Sequence, residues 1–474
     1  MKTKLLFVEP PKNYWFLMGE YLPPPTGLLA LAAYVEQEMQ DVEVSVLDCQ
    51  AESKDWKDVE RCISSYSPNI VASSGLTCNA YVCARLAETA KKVDPDIVTV
   101  LGGQHFSFMD AESLSSFPEI DIIVRGEGER TLVELIKAIQ RGGDLGEVKG
   151  LSFRKGGGIV RTPPRELIAD LDTLPFPAYH LVEKNLGKYH FTMMAGRKRY
   201  LIVEGSRGCH HRCSFCTQWR HWNGAWRSKS PRRLAEEMAH LRDDLGAGFI
   251  WLTDDNFEYQ GRGEELVKEL GARGFQDSVD WFFQSRTDEI VKNPETVARL
   301  RKVGNNWQLI GVENGNPQTL DAFRKGETVK DSMEAVRILR RNDIFAQAMM
   351  IIGSRKDDHA SIQRLRDFAK ELDPHIVVFT VLTPLPGTEI FQEAQRNGWL
   401  EDQNLSHYDM AHAIMPTESL KRSEVQAELL ACYKDFYSSP VKAMKGIFSS
   451  NEITKRCFRH MASQRIISTL RQMV

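Results

Sequence analysis

The sequence predicts an α/β protein: a doubly wound parallel sheet, then a partial (β/α)6 barrel, then a mainly helical C-terminal domain. Three observations predict it. Short apolar runs alternate with amphipathic stretches over residues 1–142, the same alternation resumes near Tyr200, and after about Gly398 only helical patterning continues. At 474 residues the chain exceeds a single ordinary core.

In the first region the strand candidates are Lys4–Val8, Val42–Leu47, Ile70–Ser74, Ile97–Leu101 and Ile122–Val124. They are rich in β-branched residues, as strands covered on both faces should be. Helical patterns fall between them at Thr26–Gln40, Trp56–Ser65, Asn79–Val93 and Arg130–Gln140. Ligands of such a sheet bind beyond the carboxyl ends of its strands. Residues 143–198 read as a linker with a small hairpin, marked by Gly156-Gly157-Gly158 and by Pro163, Pro164, Pro175 and Pro177. The barrel, residues 199–397, takes its strands from Tyr200–Glu204, Phe249–Leu252, Trp281–Gln284, Gln308–Val312, Ala346–Ile352 and Ile376–Thr380. Residues 398–474 form the helical domain.

Composition narrows the function. Hydrophobic residues at 42% and charged residues at 26% describe a globular protein. A net charge of −3 excludes a nucleic-acid partner held by bulk electrostatics. Nine cysteines without regular pairing, and no signal peptide, favour a reducing cytoplasm with thiols free for metals. No apolar run approaches the ~20 residues of a membrane span.

The chemistry-bearing segment directly follows the first barrel strand: Gly205-Ser206-Arg207-Gly208-Cys209-His210-His211-Arg212-Cys213-Ser214-Phe215-Cys216. Three thiolates in so short a loop suit a metal centre. The spacing alone allows a [4Fe–4S] cluster, a zinc ion with His210 or His211 as fourth ligand, or free thiols. The C-x3-C-x2-C loop at the head of a six-strand barrel resembles the radical S-adenosylmethionine enzymes over about residues 195–395. That resemblance implies a cluster held by Cys209, Cys213 and Cys216 with one iron open to S-adenosylmethionine.

Further segments look like that family's cofactor contacts. Asp254 and Asp255 end the second strand, Ser285 and Arg286 the third, and Glu313 lies in Gly311-Val312-Glu313-Asn314-Gly315 at the end of the fourth. Thr383-Pro384-Leu385-Pro386-Gly387-Thr388 matches the loop after the sixth. Each is equally an ordinary βα loop, with carboxylates as caps and glycines as turns. Gly353-Ser354-Arg355-Lys356 departs from the family's Phe-Pro-Gly-Glu stretch.

The first domain is similar to the cobalamin-binding domain of cobalamin-binding radical S-adenosylmethionine enzymes. The resembling pieces are Pro23–Leu31, Gly102-Gly103-Gln104-His105 and Val124-Arg125-Gly126-Glu127-Gly128-Glu129. Cobalamin would then meet Ser73, Ser74, Gly102, Gly103, Gln104, Gly126, Glu127 and Gly128. Thr77, Cys78 and Asn79 would face the lower side of cobalt, or simply begin a helix with Asn79 as its cap. The Asp-x-His-x-x-Gly motif that brings a histidine to cobalt is absent, and His105 reads as a loop hydrogen-bonder before a ligand.

Trp219, Trp222 and Trp226 read either as walls of a substrate cavity or as packing. Cys213–Trp222 and Tyr408–Thr417 resemble the anaerobic magnesium-protoporphyrin ester cyclase group and its methylase relatives, with Tyr408 and His412 as candidates to reach the site.

The resemblance implies a methyltransferase acting on an unactivated carbon. One S-adenosylmethionine would supply the methyl group to cobalamin and a second the 5′-deoxyadenosyl radical that abstracts the substrate hydrogen. Oxidative cyclisation on a tetrapyrrole or lipid is the alternative. The expected partners are a tetrapyrrole, lipid or peptidyl substrate and an electron donor such as ferredoxin or flavodoxin.

Overall fold

Strand-forming runs of Val, Ile, Leu and Phe are packed on both faces, and the chain lays them into two parallel sheets. The computed structural model describes residues 2–12, 21–276 and 278–464. It divides into two units, Met1–Tyr14 with Leu22–Tyr189, and Trp15–Tyr21 with His190–Val474.

The first unit runs β1 (Thr3–Glu9), α1 (Thr26–Glu38), β2 (Val42–Asp48), α2 (Trp56–Tyr66), β3 (Ile70–Ser74) and α3 (Ala80–Val93). It continues with β4 (Val98–Gly102), α4 (Gln104–Phe108), α5 (Asp110–Ser116), β5 (Ile122–Val124), α6 (Gly128–Arg141), β6 (Leu151–Lys155) and β7 (Gly158–Arg161). The sheet order is β2-β1-β3-β4-β5-β6-β7. Pairing is parallel through β5 and antiparallel beyond it. The parallel part has the flavodoxin-like order, so its topological switch point lies between β1 and β3.

The segment read as a linker divides between the units. Its hairpin, β6 and β7, extends the first sheet, and its later turns are tied down there. Tyr189 donates to buried Asp48 at 2.9 Å, and Ile168 N donates to Glu127 at 2.6 Å.

The second unit begins with α7 (Thr192–Ala195), β8 (Tyr200–Val203), β9 (Ser206–Gly208), α8 (Gln218–His221), β10 (Trp226–Ser228), α9 (Pro231–Asp243) and β11 (Phe249–Leu252). Next come α10 (Glu264–Ala272), β12 (Asp280–Ser285), α11 (Thr287–Lys292), α12 (Pro294–Lys302), β13 (Asn305–Glu313), α13 (Pro317–Ala322) and α14 (Val329–Arg341). The remainder is β14 (Phe345–Ile352), α15 (His359–Leu372), β15 (Ile376–Val381), α16 (Glu389–Arg396), α17 (Arg422–Tyr437), α18 (Pro440–Ile447) and α19 (Glu452–Gln464). The six-stranded sheet is β8-β11-β12-β13-β14-β15, in chain order and parallel throughout.

Tyr200, Phe249, Phe282, Trp307, Phe345 and Ile376 share one buried cluster with Met193, Met194, Ile453, Cys457 and Phe458. Phe282 stacks on Trp307 with centroids 3.7 Å apart. The strand residues come from the amino-terminal half of the barrel, so α7 and α19 plug that end. The opposite, carboxyl end carries a second cluster of Phe323, Ile351, Leu382 and Met415 with Phe215. The tail around Met415 therefore packs at the mouth, beside the cysteine loop.

Candidate functional site

At the mouth of the barrel the chain leaves β8 through Gly205, whose N–H donates to Asp254 Oδ1 at 2.8 Å. Arg262 joins Asp254 Oδ2 to the Gly205 carbonyl, at 2.9 and 2.8 Å. Both Asp254 oxygens are thus engaged in fixing the start of the loop, and the side chain is fully buried. β9 then pairs antiparallel with β10, framing the residues that carry the cysteines. Gly208 has φ +90°, and a Cβ there would meet the Ala225 carbonyl oxygen at 1.9 Å. Only glycine fits where the ribbon closes this tightly.

The cysteine loop is held from both sides. Cys216 N donates to the Cys213 carbonyl at 3.2 Å, and Trp219 Nε1 donates to the same oxygen at 3.0 Å. Ser214 bonds through N and Oγ to the carbonyls of Phe323 and Ala322, at 3.0 and 3.1 Å. Phe215 meets Phe323 edge to face. All nine cysteines are free thiols. Burial pushes all three loop thiols up, Cys216 to about 12. Thiols in such a place lose their protons to a bound metal. Among the described residues no three His, Cys, Asp or Glu side chains converge on one metal ion. A cluster takes each cysteine on a separate iron and needs no such convergence. The three cysteines therefore suit a cluster.

Around the loop stand the ends of the next strands. Asp255 Oδ2 accepts from Gly208 N at 3.3 Å and Trp222 Nε1 at 3.1 Å, and burial pushes its carboxyl up to about 7. Ser285 Oγ lies 2.8 Å from Tyr259 Oη, which donates to Gln308 at 2.9 Å. Arg286 bonds Asp288 at 3.0 Å and the Lys325 carbonyl at 2.8 Å. Glu313 sits in a left-handed conformation, φ +61°. Its Oε1 accepts from Lys325 Nζ at 2.9 Å, and Glu327 lies 3.5 Å from both Lys325 and Arg286. The result is a network at the mouth of buried Arg286, Lys325, Glu313 and Glu327 with half-buried Asp288. Its two cations act on Cys213, favouring the thiolate.

Lys325 and Glu327 escaped the sequence reading. They lie in an irregular stretch after α13, where no periodicity marks them. The one available signal was Gly326 between two charges, which has φ +68°. Trp222 contributes a hydrogen bond to Asp255, and Trp226 Nε1 bonds the Asn256 carbonyl. Tyr408 and His412 lie in the tail segment that reaches the mouth, where Val381 N bonds the Met410 carbonyl at 2.8 Å. His412 is paired with Asp409 at 2.9 Å, and Tyr408 Oη donates to the Asp402 carbonyl.

In the first unit, the carboxyl edge at the switch point is built by close backbone approach. Gly75 N donates to the Gly102 carbonyl at 3.0 Å. Gly103 has φ +90°, and a Cβ there would meet Ser74 Oγ at 2.5 Å and Gly75 N and O at 2.9 Å. Ser73 turns its hydroxyl inward to the Val8 carbonyl at 2.8 Å, while Ser74 is exposed. Thr77–Asn79 form a single 3-10 turn ahead of α3, and Asn79 makes no side-chain cap. Thr77 is buried, its Oγ1 3.3 Å from His105 Nδ1, while Cys78 and Asn79 are half-buried. Burial pushes His105 down to about 4, so it is neutral at physiological pH.

Gln104 opens α4, a helix hidden from the sequence by its brevity. Gly126, at φ +72°, has open space where a Cβ would stand, while Gly128 packs against Leu31. Glu127 spends one carboxylate oxygen on Ile168 N. Leu76, 55% exposed, stands immediately after β3 and was not singled out by sequence. After β3 and β4 this edge offers glycine backbone, hydroxyls and one apolar side chain, flanked by the Glu9–Lys12 ion pair at the end of β1 and the Glu127 carboxylate after β5.

The radical SAM superfamily pattern matches residues 203–369 and the B12 binding domain pattern residues 19–136. An uncharacterized methyltransferase of Pyrococcus horikoshii is 30% identical over 439 residues, covering 92% of this chain and 93% of that protein. The anaerobic magnesium-protoporphyrin IX monomethyl ester cyclase of Cereibacter sphaeroides is 30% identical over 415 residues, covering 87% and 65%. The solved structure of TsrM, a radical S-adenosylmethionine methyltransferase from Kitasatospora setae with cobalamin and a [4Fe–4S] cluster, superposes with a TM-score of 0.74. Identity is 18%, and both chains are covered completely.

The fold and the two strand edges define a radical S-adenosylmethionine enzyme with a cobalamin-binding domain. The chain belongs to the cobalamin-dependent radical S-adenosylmethionine methyltransferases. Its cofactors are a [4Fe–4S] cluster, S-adenosylmethionine and cobalamin. Among the described residues no helix is long and apolar enough to cross a membrane.

Proposed function

We propose that the protein methylates an unactivated carbon of a small molecule, with a tetrapyrrole or a lipid as the substrate class. The observation that carries this reading is the cysteine loop gripped between β9, β10 and α13, beside buried Arg286 and Lys325. When bound, the cluster supplies the electron that cleaves S-adenosylmethionine, and cobalamin carries the methyl group.

The chain's own residues do the rest. Cys209, Cys213 and Cys216 hold the cluster. Lys325 and Arg286 offer positive charge to an anionic group, and Glu313 and Asp255 offer acceptors to a cationic one. Those are the carboxylate and ammonium of the methionyl part of S-adenosylmethionine. Asp254 acts one step back, since Gly205 and Arg262 occupy both its oxygens. Ser285, fixed by Tyr259, presents a hydroxyl on the same rim. In the first unit, Ser74, Gly102, Gly103, Gln104 and Gly126 form the cobalamin edge. Leu76 serves as an apolar support beside Thr77, Cys78 and Asn79. Ser73, Glu127 and Gly128 shape that edge from within.

The tetrapyrrole class draws support from the likeness to the magnesium-protoporphyrin cyclase. The free thiols fit a reducing cytoplasm, and a small redox protein such as ferredoxin or flavodoxin is the electron source we assign. Anaerobic incubation with S-adenosylmethionine labelled in its methyl group, against tetrapyrrole and lipid fractions, tests the reading. Label recovered in a carbon-methylated product supports it; a product altered without label would make the enzyme an oxidative cyclase.

A further inference from the structure

The tail carries an apolar face unrelated to the site at the mouth. Six large apolar side chains stand exposed among the described residues, and three lie on the α18 stretch: Val441 (63%), Met444 (61%) and Phe448 (75%). Their i, i+3, i+7 spacing puts them on one side of the helix, with Lys445 between them. The other side is spent: a Cβ on Gly446 would meet the Phe458 ring of α19 at 2.1 Å, and Ile447 packs on the barrel's lower cluster. A short helix with two apolar sides, one packed and one exposed, is built to bury the second elsewhere.

Charge selects the occupant. Residues 440–460 hold five Lys and Arg against one acidic residue, in a chain whose net charge is −3. Lys442 is engaged by Asp373 at 3.0 Å, Lys455 by Glu452 and Arg456 by the Met194 carbonyl, which leaves Lys445 and Arg459 exposed. We propose that this face docks on the surface of an anionic phospholipid bilayer, inserting Val441, Met444 and Phe448 while Lys445 meets the headgroups.

A second copy fits worse, because a symmetric contact would pair this patch with itself and bury the exposed Lys445 of both copies with no acidic side chain of the patch to meet them. An acidic redox protein fits worse because of where the face lies. Asn451 bonds Asp343 at 3.0 Å and Lys442 bonds the Pro374 carbonyl at 3.1 Å. Those residues lead into β14 and β15, so α18 sits at the amino-terminal end of the barrel, opposite the cysteines.

Sedimentation of the full-length holoprotein with vesicles of phosphatidylcholine, with and without phosphatidylglycerol, tests the proposal. The protein should sediment with the anionic vesicles at low salt, stay free with the neutral ones, and be released by added salt. Replacing Val441, Met444 and Phe448 by serine, all exposed and so neutral to folding, should lower partitioning by about tenfold or more. Lys445→Glu should lower it by a few-fold. No sedimentation with either vesicle, or equal sedimentation of the triple variant, overturns the proposal. So does a dimer in analytical ultracentrifugation that the triple variant abolishes, which makes the face a contact between copies. Binding that appears only after removal of residues 465–474 also overturns it, by making that segment the occupant.

Discussion

After β3 and β4 in the first unit, Gly75–Asn79 and Gly103–Phe106 bring no ionised side chain to the strand ends. After β12 and β13 in the second unit, Arg286, Lys325, Glu313 and Glu327 lie buried within hydrogen-bonding or ion-pairing reach of one another. The first sheet is parallel through β5 and the second throughout, and the proposed ligand edges lie at the carboxyl ends of those parallel strands. On the proposed assignment, the difference lies in what each edge would hold. A neutral, amide-rimmed ring wants backbone and open space. A small zwitterion on an iron cluster wants fixed charges, each paired so that none is stranded in a dry site.

The largest expected effect breaks the charged edge at its metal. Cys213→Ala should remove bound iron and abolish 5′-deoxyadenosine formation, while corrin absorbance after reconstitution with hydroxocobalamin is kept. Next is the ion network. Lys325→Ala strands Glu313 and Glu327 and should cost about 3–5 kcal/mol in denaturant unfolding of the second unit. An unchanged midpoint would mean that the network is not what holds this rim.

Paired glycine substitutions sharpen the comparison. Gly103→Ala meets Ser74 Oγ and the Gly75 backbone, at a left-handed φ that itself costs about 1–3 kcal/mol. It should lose corrin retention and keep iron. Gly208→Ala meets the Ala225 carbonyl and should do the reverse.

A pH effect belongs to the first unit. Burial raises Asp48 from 3.8 to about 6 and lowers His105 from 6.5 to about 4. Between about pH 4 and 6 the native Asp48 holds a proton that the unfolded chain has lost, so its contribution to stability falls as pH rises. Over the same window the unfolded His105 binds a proton that the native ring refuses, so its contribution rises with pH. Each is worth about 3 kcal/mol at most, with opposite sign. The wild-type unit should show little net slope from these two groups. Asp48→Asn should expose the rising slope and His105→Gln the falling one in urea titrations across that range. The smallest effect is at the rim: Arg324→Ala removes an exposed pair with Glu389 and should cost less than about 1 kcal/mol.

Eleven strand candidates were legible because buried parallel strands are written as apolar β-branched runs; the structure moves their ends by a residue or two, except that β13 begins three residues early, at Asn305. The helical stretch Asn79–Val93 begins instead at Ala80, after a 3-10 turn that leaves Asn79 uncapped. β9 and β10 were not legible, since Ser206-Arg207-Gly208 and Trp226-Arg227-Ser228 have no apolar alternation and pair only because Gly208 permits it. The hairpin of 151–161 was visible as a turn, but its place in the first sheet depends on pairing with β5, a long-range choice that local pattern does not encode. In the site, the cysteines announced themselves by spacing. Asp254 and Asp255 look equivalent in sequence, and only the fold separates an aspartate locked to Arg262 from its neighbour beside the loop. Lys325 and Glu327 gain their meaning wholly from burial against residues of other strands.

We propose that radical formation and cobalamin-dependent methyl transfer are parts of one reaction. Its most direct measurement is anaerobic turnover of the protein reconstituted with iron, sulfide and cobalamin, with S-adenosylmethionine and reductant, counting both nucleoside products. 5′-Deoxyadenosine and S-adenosylhomocysteine should form together, the second only when cobalamin is bound. Formation of 5′-deoxyadenosine with no S-adenosylhomocysteine would contradict it.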